Sequence, residues 1–510
     1  MEVEVIQRKT LAIDVVGGAC RLREVQLNLT LGFGTGRLLC SGLSGAKLQN
    51  LFHRLNLVCG LHFDWNPLVD ADCSFNVLPC EDPPSSACDM AMLAALSLAR
   101  NDRLECRDMC FCGEVGLDGT FAPLKTPLAV GMLAKKHHLP VVVPVASAAM
   151  TDMSGAEVGA AENASTIDYA IADDGAWSSV PHHTPEPPYE APLVDLSHVR
   201  GRQREAHALE VAVAGGHNLL YIGPPGQGKS MLAKCVPGIA PPLSWDELVA
   251  VSAVWQQAGK TEGIVTRRPV RMVDPSVTKQ ALIGGGHQEP YPGEVSLAHR
   301  GVLFLDEFPQ MTRSTIDALR GPLQDGEVSI SRVNWKITFP AQFQLIVACN
   351  PCPCGYWQHG TRECVCTPAE RSRYMKKLSG PLIDRIPLRC WTPPLTMPDM
   401  TEGNQGEPSA QVAARIVQAR DRQRRRWSEL GLECNDELAP QHLEPDMLGL
   451  DAPAREVLLS LSDGLSPRSY HNLLRLARTV ADLKGVDGVG REDLECAKSL
   501  MVVEQIPTLQ

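Results

Sequence analysis

The spacing of apolar residues changes along the chain, and each change marks a boundary. Residues 1–175 read mainly as strand-like runs with one clear helix, CDMAMLAALSLA (Cys88–Ala99). Within them CFCGEVGLDGTFAPL reads as strand, turn and strand, with Asp118-Gly119 at the turn. A helix (LAVGMLAKKHH) and a β run (PVVVPV) follow. Residues 176–193 lie in a stretch rich in Pro, Ser and His with little periodicity, which is the signature of a linker. Over 194–391 the pattern becomes helix, strand, loop and helix, as in an α/β domain. A second polar, proline-rich break covers 392–410, and 411–510 reads as helical, with NLLRLARTVADL carrying apolar residues at helical spacing.

Composition narrows the class. A chain of 510 residues exceeds one ordinary core, so about two to four domains are expected. With 44% hydrophobic and 21% charged residues it reads as a soluble globular protein. A net charge of -11 argues against a surface that binds nucleic acid all over, but leaves room for a local basic channel. The opening MEVEVIQRKT has no signal-peptide pattern, and the longest apolar run, Leu139–Met150, is too short and proline-broken to span a bilayer. These features predict a cytoplasmic protein without membrane contact, whose cysteines are thiols or metal ligands.

The chemistry-bearing residues cluster in the middle. HNLLYIGPPGQGKSMLAKCV is a buried strand, a glycine loop and a helix, and Gly223-Pro224-Pro225-Gly226-Gln227-Gly228-Lys229-Ser230 fits G-x-x-x-x-G-K-[ST] at every fixed position. Its backbone N–H groups would cradle phosphates, with Lys229 on the β/γ-phosphates of ATP and Ser230 on Mg²⁺. RGVLFLDEF is an apolar strand ending in Asp306, suited to the Mg²⁺ shell, and Glu307, suited to polarising the attacking water. A third strand, FQLIVACN, ends in Asn350, a candidate sensor of the same water. Arg385, in SGPLIDRI, and Arg468, in LSPRSYHNLL, are candidates to meet the charge on a transferring phosphoryl group; their distance along the chain suggests a neighbouring subunit as donor.

These motifs together resemble the magnesium-chelatase-like AAA+ ATPases of the ComM/YifB type. GGHNLLYIGPPGQGKSML, GEVSLAHRGVLFLDEFP, RGPLQDGEVSISR, ACNPCPCG, SGPLIDRI and SPRSYHNLLRLARTVADL carry the resemblance, over roughly 194–485. It implies an α/β AAA+ domain, a C-terminal helical lid and homo-hexameric rings. In ComM it implies a DNA helicase that drives branch migration in natural transformation. It also makes Arg385 the arginine finger and Arg468 the sensor-2 arginine. GEVGLDGTFAPL and PVVVPVASAA look like the Lon-protease-like α/β domain that precedes the ATPase in this family. The chain departs from the family at RPVRMVDPS, where Asp274-Pro275 replaces a histidine pair, and at Arg202, where a glutamine is usual. Ser85, Ser86 and Lys125 lack the register of a serine–lysine peptidase dyad, so peptidase activity is not expected.

Two further features remain. Cys352, Cys354, Cys364 and Cys366 form two C-x-C pairs that can close a structural Zn²⁺ site, with His359 a substitute ligand and four reduced cysteines the alternative. Cys349, on the strand, reads as core. GEVSISRVNWKITF reads as a hairpin presenting Arg332, Trp335 and Lys336, and GGGHQEPYPGE as a protruding loop; by the resemblance both line a pore for DNA, with a plain surface hairpin and loop the alternative. RIVQARDRQRRRW reads as a solvated helix face, with DNA contact the alternative. The function expected is ATP hydrolysis by a ring moving on DNA; the alternatives are a magnesium-chelatase ATPase subunit and a protein-remodelling motor.

Overall fold

The computed structural model describes residues 4–16, 19–31, 36–80, 82–101, 104, 108–172, 194–286, 290–332, 335–360, 362–378, 382–396, 398–399, 405–462 and 465–503, with backbone alone at 70, 332, 335, 336, 461 and 462. The expected 176–193 linker lies outside the described residues.

Residues 4–172 build a seven-stranded mixed sheet in the order β3-β4-β2-β1-β5-β6-β7. Its spine is the antiparallel pair β1 (Glu4–Val16) and β2 (Ala19–Leu31), registered from Glu4↔Leu31 to Val16↔Ala19. Beside them lie β3 (Leu38–Cys40), β4 (Asp72–Leu78), β5 (Cys110–Phe111), β6 (Val141–Pro144) and β7 (Val158–Ala161). The helix read at Cys88–Ala99 forms as Asp89–Arg100, and it is almost wholly buried against β1 and β2, as its unbroken apolar sequence requires.

The strand–turn–strand reading around Asp118-Gly119 holds beside the turn but not through the strand before it. β5 is two residues long and pairs in parallel with β1 and β6, while the downstream segment pairs across its own turn at Val115↔Phe121, with Ala122 N–H donating to Glu114 O at 3.0 Å, and bridges Thr120↔Asn163. Its polar groups are met locally instead: Gly116 N–H donates to Thr120 O at 2.8 Å, and Asp118 Oδ1 accepts from Thr120 N at 3.1 Å and from its hydroxyl at 2.7 Å. The turn and a short ladder exist, but the ladder does not run through β5.

Residues 194–391 form a second α/β unit around five parallel strands in the order β16-β8-β15-β12-β9. They are β8 (Leu219–Ile222), β9 (Val270–Val273), β12 (Val302–Leu305), β15 (Gln344–Cys349) and β16 (Leu388–Trp391). Helices cover both faces, which is why β8, β12 and β15 read as continuous apolar runs rather than alternating ones. Two hairpins leave this unit. β10 (Gly284–Gly285) pairs with β11 (Tyr291–Pro292), and β13 (Glu327–Arg332) pairs with β14 (Trp335–Pro340) in the register Arg332↔Trp335. The tip residues His287–Glu289 and the side chains of Arg332, Trp335 and Lys336 lie outside the described residues.

The two α/β units meet on the Trp245–Gln257 helix: Trp245 Nε1 donates to Met153 O at 3.2 Å, and Val249 and Ala253 pack on Leu128, Ala129 and Met153. The C-terminal helices Ser409–Arg426, Pro467–Lys484 and Arg491–Met501 share one core with the β8 side of the second sheet. Here the reading of RIVQARDRQRRRW as a solvated face is overturned. Arg415 pairs with Glu210 and Glu407, Arg420 donates to Val213 O and Glu433 O, and Arg422 donates to Asp482 O. Arg424 pairs with Glu433, and Arg426 with the buried Asp482. Only Arg425 of the six is exposed. Guanidinium forks satisfy carbonyls and carboxylates at the seam between lid and sheet, so the basic run is an internal fastening. Among the described residues, no helix is long and apolar enough to cross a membrane.

Candidate nucleotide site

β8, β12 and β15 run in parallel, so the three polar termini read from sequence come out at one edge of the sheet. The strand order sets their spacing: β15 lies between β8 and β12, which puts Asn350 between the glycine loop and Asp306. The loop closes onto the Lys229–Lys234 helix, with Gly228 at φ 82°, a left-handed conformation that turns its N–H inward and that glycine adopts without strain. Lys229 Nζ is buried and donates to Gly223 O at 2.6 Å, Pro224 O at 2.7 Å and Asn350 Oδ1 at 3.2 Å. Burial lowers the Lys229 pKa to about 8. Ser230 Oγ donates to Asp306 Oδ2 at 2.6 Å, so the two expected Mg²⁺ ligands already touch. Asp306 Oδ1 accepts the Glu307 N–H at 2.9 Å. Glu307 itself sits at φ 45°, a conformation a non-glycine residue rarely takes, and that strain turns the chain sharply at the strand end.

The arginines stand elsewhere. Arg385 closes the Ile383–Arg385 turn ahead of β16, and its carbonyl accepts from Asn218 Nδ2, just ahead of β8, at 2.7 Å. That is the edge where these parallel strands begin, whereas the glycine loop lies where β8 ends. A four-residue strand separates them by about 13 Å, at ~3.3 Å per residue. Arg468, exposed at the start of the Pro467–Lys484 helix, lies near enough to Arg385 that, after burial, its charge is the main influence lowering the Arg385 pKa. The structure therefore brings Lys229, Ser230, Asp306, Glu307 and Asn350 together, and Arg385 and Arg468 together, on opposite edges.

The family model for magnesium chelatase, subunit ChlI, matches residues 195–400, and that for the ChlI C-terminal part matches 406–500. An uncharacterized protein of Mycobacterium tuberculosis is 33% identical over 96% of this chain and 98% of its own length. The uncharacterized protein YifB of Escherichia coli is 40% identical over 61% of each chain, and competence protein ComM of Haemophilus influenzae 40% identical over 57% of each. The chain belongs to the magnesium-chelatase-like AAA+ family of the ComM/YifB type. That membership implies an ATPase using ATP and Mg²⁺, and the Ser230–Asp306 contact beside Lys229 is the donor set these ligands need.

Two departures from the ComM/YifB pattern can now be located. Arg202, in the glutamine's place, is buried in an ion pair with Glu205 at 3.0 Å and donates to Gln227 Oε1 at 3.0 Å, so it braces the glycine loop from outside. Gln227 Oε1 also accepts from Leu395 N at 2.8 Å, a contact no local pattern announced. Asp274 follows β9, whose register with β12 sets it level with Asp306. It accepts from Ser276 N at 2.8 Å.

The four cysteines converge. Their sulfurs all lie within 4.8 Å of one another, with Cys352–Cys354 at 3.4 Å, Cys352–Cys364 at 3.7 Å and Cys354–Cys364 at 3.6 Å. A tetrahedral metal with ~2.3 Å bonds to sulfur sets its ligands about 3.8 Å apart, so the set can hold a metal ion. Trp357 N–H points at Cys352 Sγ and Cys354 N–H at Cys366 Sγ, both at 3.4 Å, the outer bonds that orient thiolate ligands. His359 is not part of the converging set; its ring stacks edgewise on Tyr356. Cys349 is buried in the core.

The N-terminal unit does not bring Lys125 into the cleft of Ser85 and Ser86. Ser85 caps its helix by accepting from Ala87 N at 3.2 Å, and its hydroxyl donates to Asp14, itself paired with Arg23 at 2.8 Å. Ser85 and Ser86 line one cleft with Arg54 and Asp89; Lys125 lines another with Val15 and Gln256.

Proposed function

We propose that this chain works as a cytoplasmic homo-hexameric ring that hydrolyses ATP to move on DNA, single-stranded or branched, as a helicase or branch-migration motor in recombination or natural transformation. The observation that carries the reading is the separation of Arg385 and Arg468 from their own glycine loop. Phosphoryl transfer needs positive charge at the γ-phosphate, and arginines on the far edge can supply it only to another copy. A closed ring is the assembly in which every copy both gives and receives. The hairpins β10–β11 and β13–β14 are the elements assigned to DNA, with Arg332, Trp335 and Lys336 as contacts by cation and stacking. The competence protein among the relatives supports this direction. The same proposal gives Cys352, Cys354, Cys364 and Cys366 to a structural Zn²⁺ ion.

A magnesium-chelatase ATPase subunit is the second reading, favoured by the name of the matching family model. The seven-stranded unit of residues 4–172 lies outside the span that the two chelatase models match, and counts against it. ATPase activity measured with single-stranded, duplex and branched DNA separates the readings. Stimulation by DNA is expected; turnover indifferent to all three DNAs would overturn the motor reading.

A further inference from the structure

The cysteine knuckle does more than close a surface loop, because it rests on the glycine loop. Asn350 directly follows β15, Cys352 comes two residues later, and Gly355 N–H turns back onto Cys352 O at 3.0 Å. Gly355 adopts φ +84°, and a Cβ there would stand 2.8 Å from Cδ of Pro225 and 3.8 Å from Cγ of Asn350. Only a residue without a side chain lets the knuckle lie this close to the P-loop. On its other side the knuckle is tied to the following Pro368–Met375 helix: Arg371 donates to Cys366 O at 3.3 Å and stacks over the Trp357 ring at 5.3 Å. In that helix, Tyr374 packs against the core cluster that holds Cys349, the residue before Asn350. Lys377, just beyond it, donates to Pro309 O at 2.6 Å, in the turn after Glu307. The knuckle thus touches the phosphate loop, the sensor residue and, through its helix, the turn that carries the general base.

We propose that Zn²⁺ bound by Cys352, Cys354, Cys364 and Cys366 is energetically coupled to nucleotide in the P-loop through the Gly355–Pro225 contact. The inference rests on the zinc reading above and extends it from a structural staple to a device that sets nucleotide affinity. Its physical basis is cooperativity between adjacent elements. With the metal in place, four bonds hold the turn that presses on Pro225 and fixes Asn350. Without it, that turn rests on a few hydrogen bonds, Gly355 N–H to Cys352 O among them, and the wall of the phosphate loop loosens. Linkage requires the effect to run both ways, so nucleotide must tighten zinc by the factor with which zinc tightens nucleotide.

The full chain is tested as purified, with a fluorescent ADP analogue and Mg²⁺ as the nucleotide probe. Zinc is read by elemental analysis and by its release to a chromogenic chelator. About one zinc per chain is expected, with nucleotide affinity at least about fivefold weaker after stripping and restored by added Zn²⁺. The free chelator needed to withdraw half the zinc from the intact protein at equilibrium should rise by a similar factor when nucleotide is bound, a measurement that starts from protein that was never stripped. Gly355→Ala should keep its zinc while binding nucleotide less tightly, because the added methyl pushes on Pro225 and not on a ligand. Protein that neither contains zinc nor takes it up overturns the zinc reading itself. Protein that holds zinc, with that chelator concentration indifferent to nucleotide, overturns the coupling and leaves the zinc reading standing.

Discussion

Lys229 and Asn350, 121 residues apart in the chain, meet in a hydrogen bond of 3.2 Å from Nζ to Oδ1. The lysine that should grip the β/γ-phosphates is held by the residue that should sense them, with two loop carbonyls completing its shell. Nucleotide must replace those oxygens with phosphate oxygens, which favour the charged ammonium far more strongly.

Nucleotide affinity should therefore depend on pH. Burial lowers Lys229 to about 8, so above that pH the free site has lost the proton. Phosphate raises the pKa again, and binding then takes up a proton. Affinity should be level up to about pH 7.5 and roughly tenfold weaker by pH 9. Calorimetric titrations in two buffers of different ionisation heat would reveal the uptake. Equal affinity at pH 7 and pH 9 would sink the argument, and Lys229→Ala should abolish binding outright.

Glu307→Gln should separate binding from turnover. The substituted amide keeps the size of the side chain but cannot take a proton from water, so ATP should bind normally while hydrolysis falls by about 10²–10⁴-fold. Single-turnover measurements decide it. Wild-type rates in Glu307→Gln would assign the base elsewhere.

Mixing variants tests the arginines on the far edge. Arg385→Ala should retain ATP binding and lose about 10³-fold or more in hydrolysis. Combined with Lys229→Ala, which is inactive for the opposite reason, it should recover part of the activity. Mixed rings hold interfaces where an intact P-loop faces an intact Arg385. No recovery, with mixed assembly seen by native mass spectrometry, would make Arg385 a structural arginine.

Asp482 should be the most sensitive position in the lid. Fully buried, it pairs with Arg478 at 3.0 Å and Arg426 at 2.7 Å and accepts from Asn435 Nδ2 at 2.9 Å. Asp482→Ala strands buried guanidinium charge, for a loss of about 3–5 kcal/mol. Urea unfolding would show it, and a loss under about 1 kcal/mol would mean that water or rearrangement takes over the carboxylate's role.

His299 should make the protein acid-sensitive. Buried, and accepting Gln342 N–H on Nδ1 at 3.2 Å, it has its pKa lowered to about 3 by burial and by nearby Arg300 and Arg268, against Glu247. Between pH 3 and 6.5 the unfolded chain holds a proton that the folded chain does not, so stability falls as pH drops through 6.5. One such group contributes about 2 kcal/mol of loss by pH 5. The slope of melting temperature against pH should flatten in His299→Gln, and an unchanged slope would assign the acid sensitivity to other groups.

Much of the nucleotide site was legible in the chain because its parts are local. A glycine loop between a strand and a helix, an apolar strand ending in Asp306-Glu307 and another ending in Asn350 each carry their own signal within ten or so residues. The two C-x-C pairs were equally plain, since metal ligands must recur at short spacing. What escaped was decided by pairing and packing over long separations. β15 enters between β8 and β12, and that insertion alone brings Asn350 to Lys229. β16 runs parallel beside β8, so Arg385 falls at the strand starts, away from its own phosphate loop. The basic run at 415–426 has the composition of a solvated face, yet its partners come from three other segments that helix periodicity cannot name. The Asp118 turn kept only a short ladder of its own because β5 found both its neighbours elsewhere in the sheet. Local chemistry is written in adjacent residues; which edge, which neighbour and which partner follow from burying a sheet on both faces, and that requires the whole chain at once.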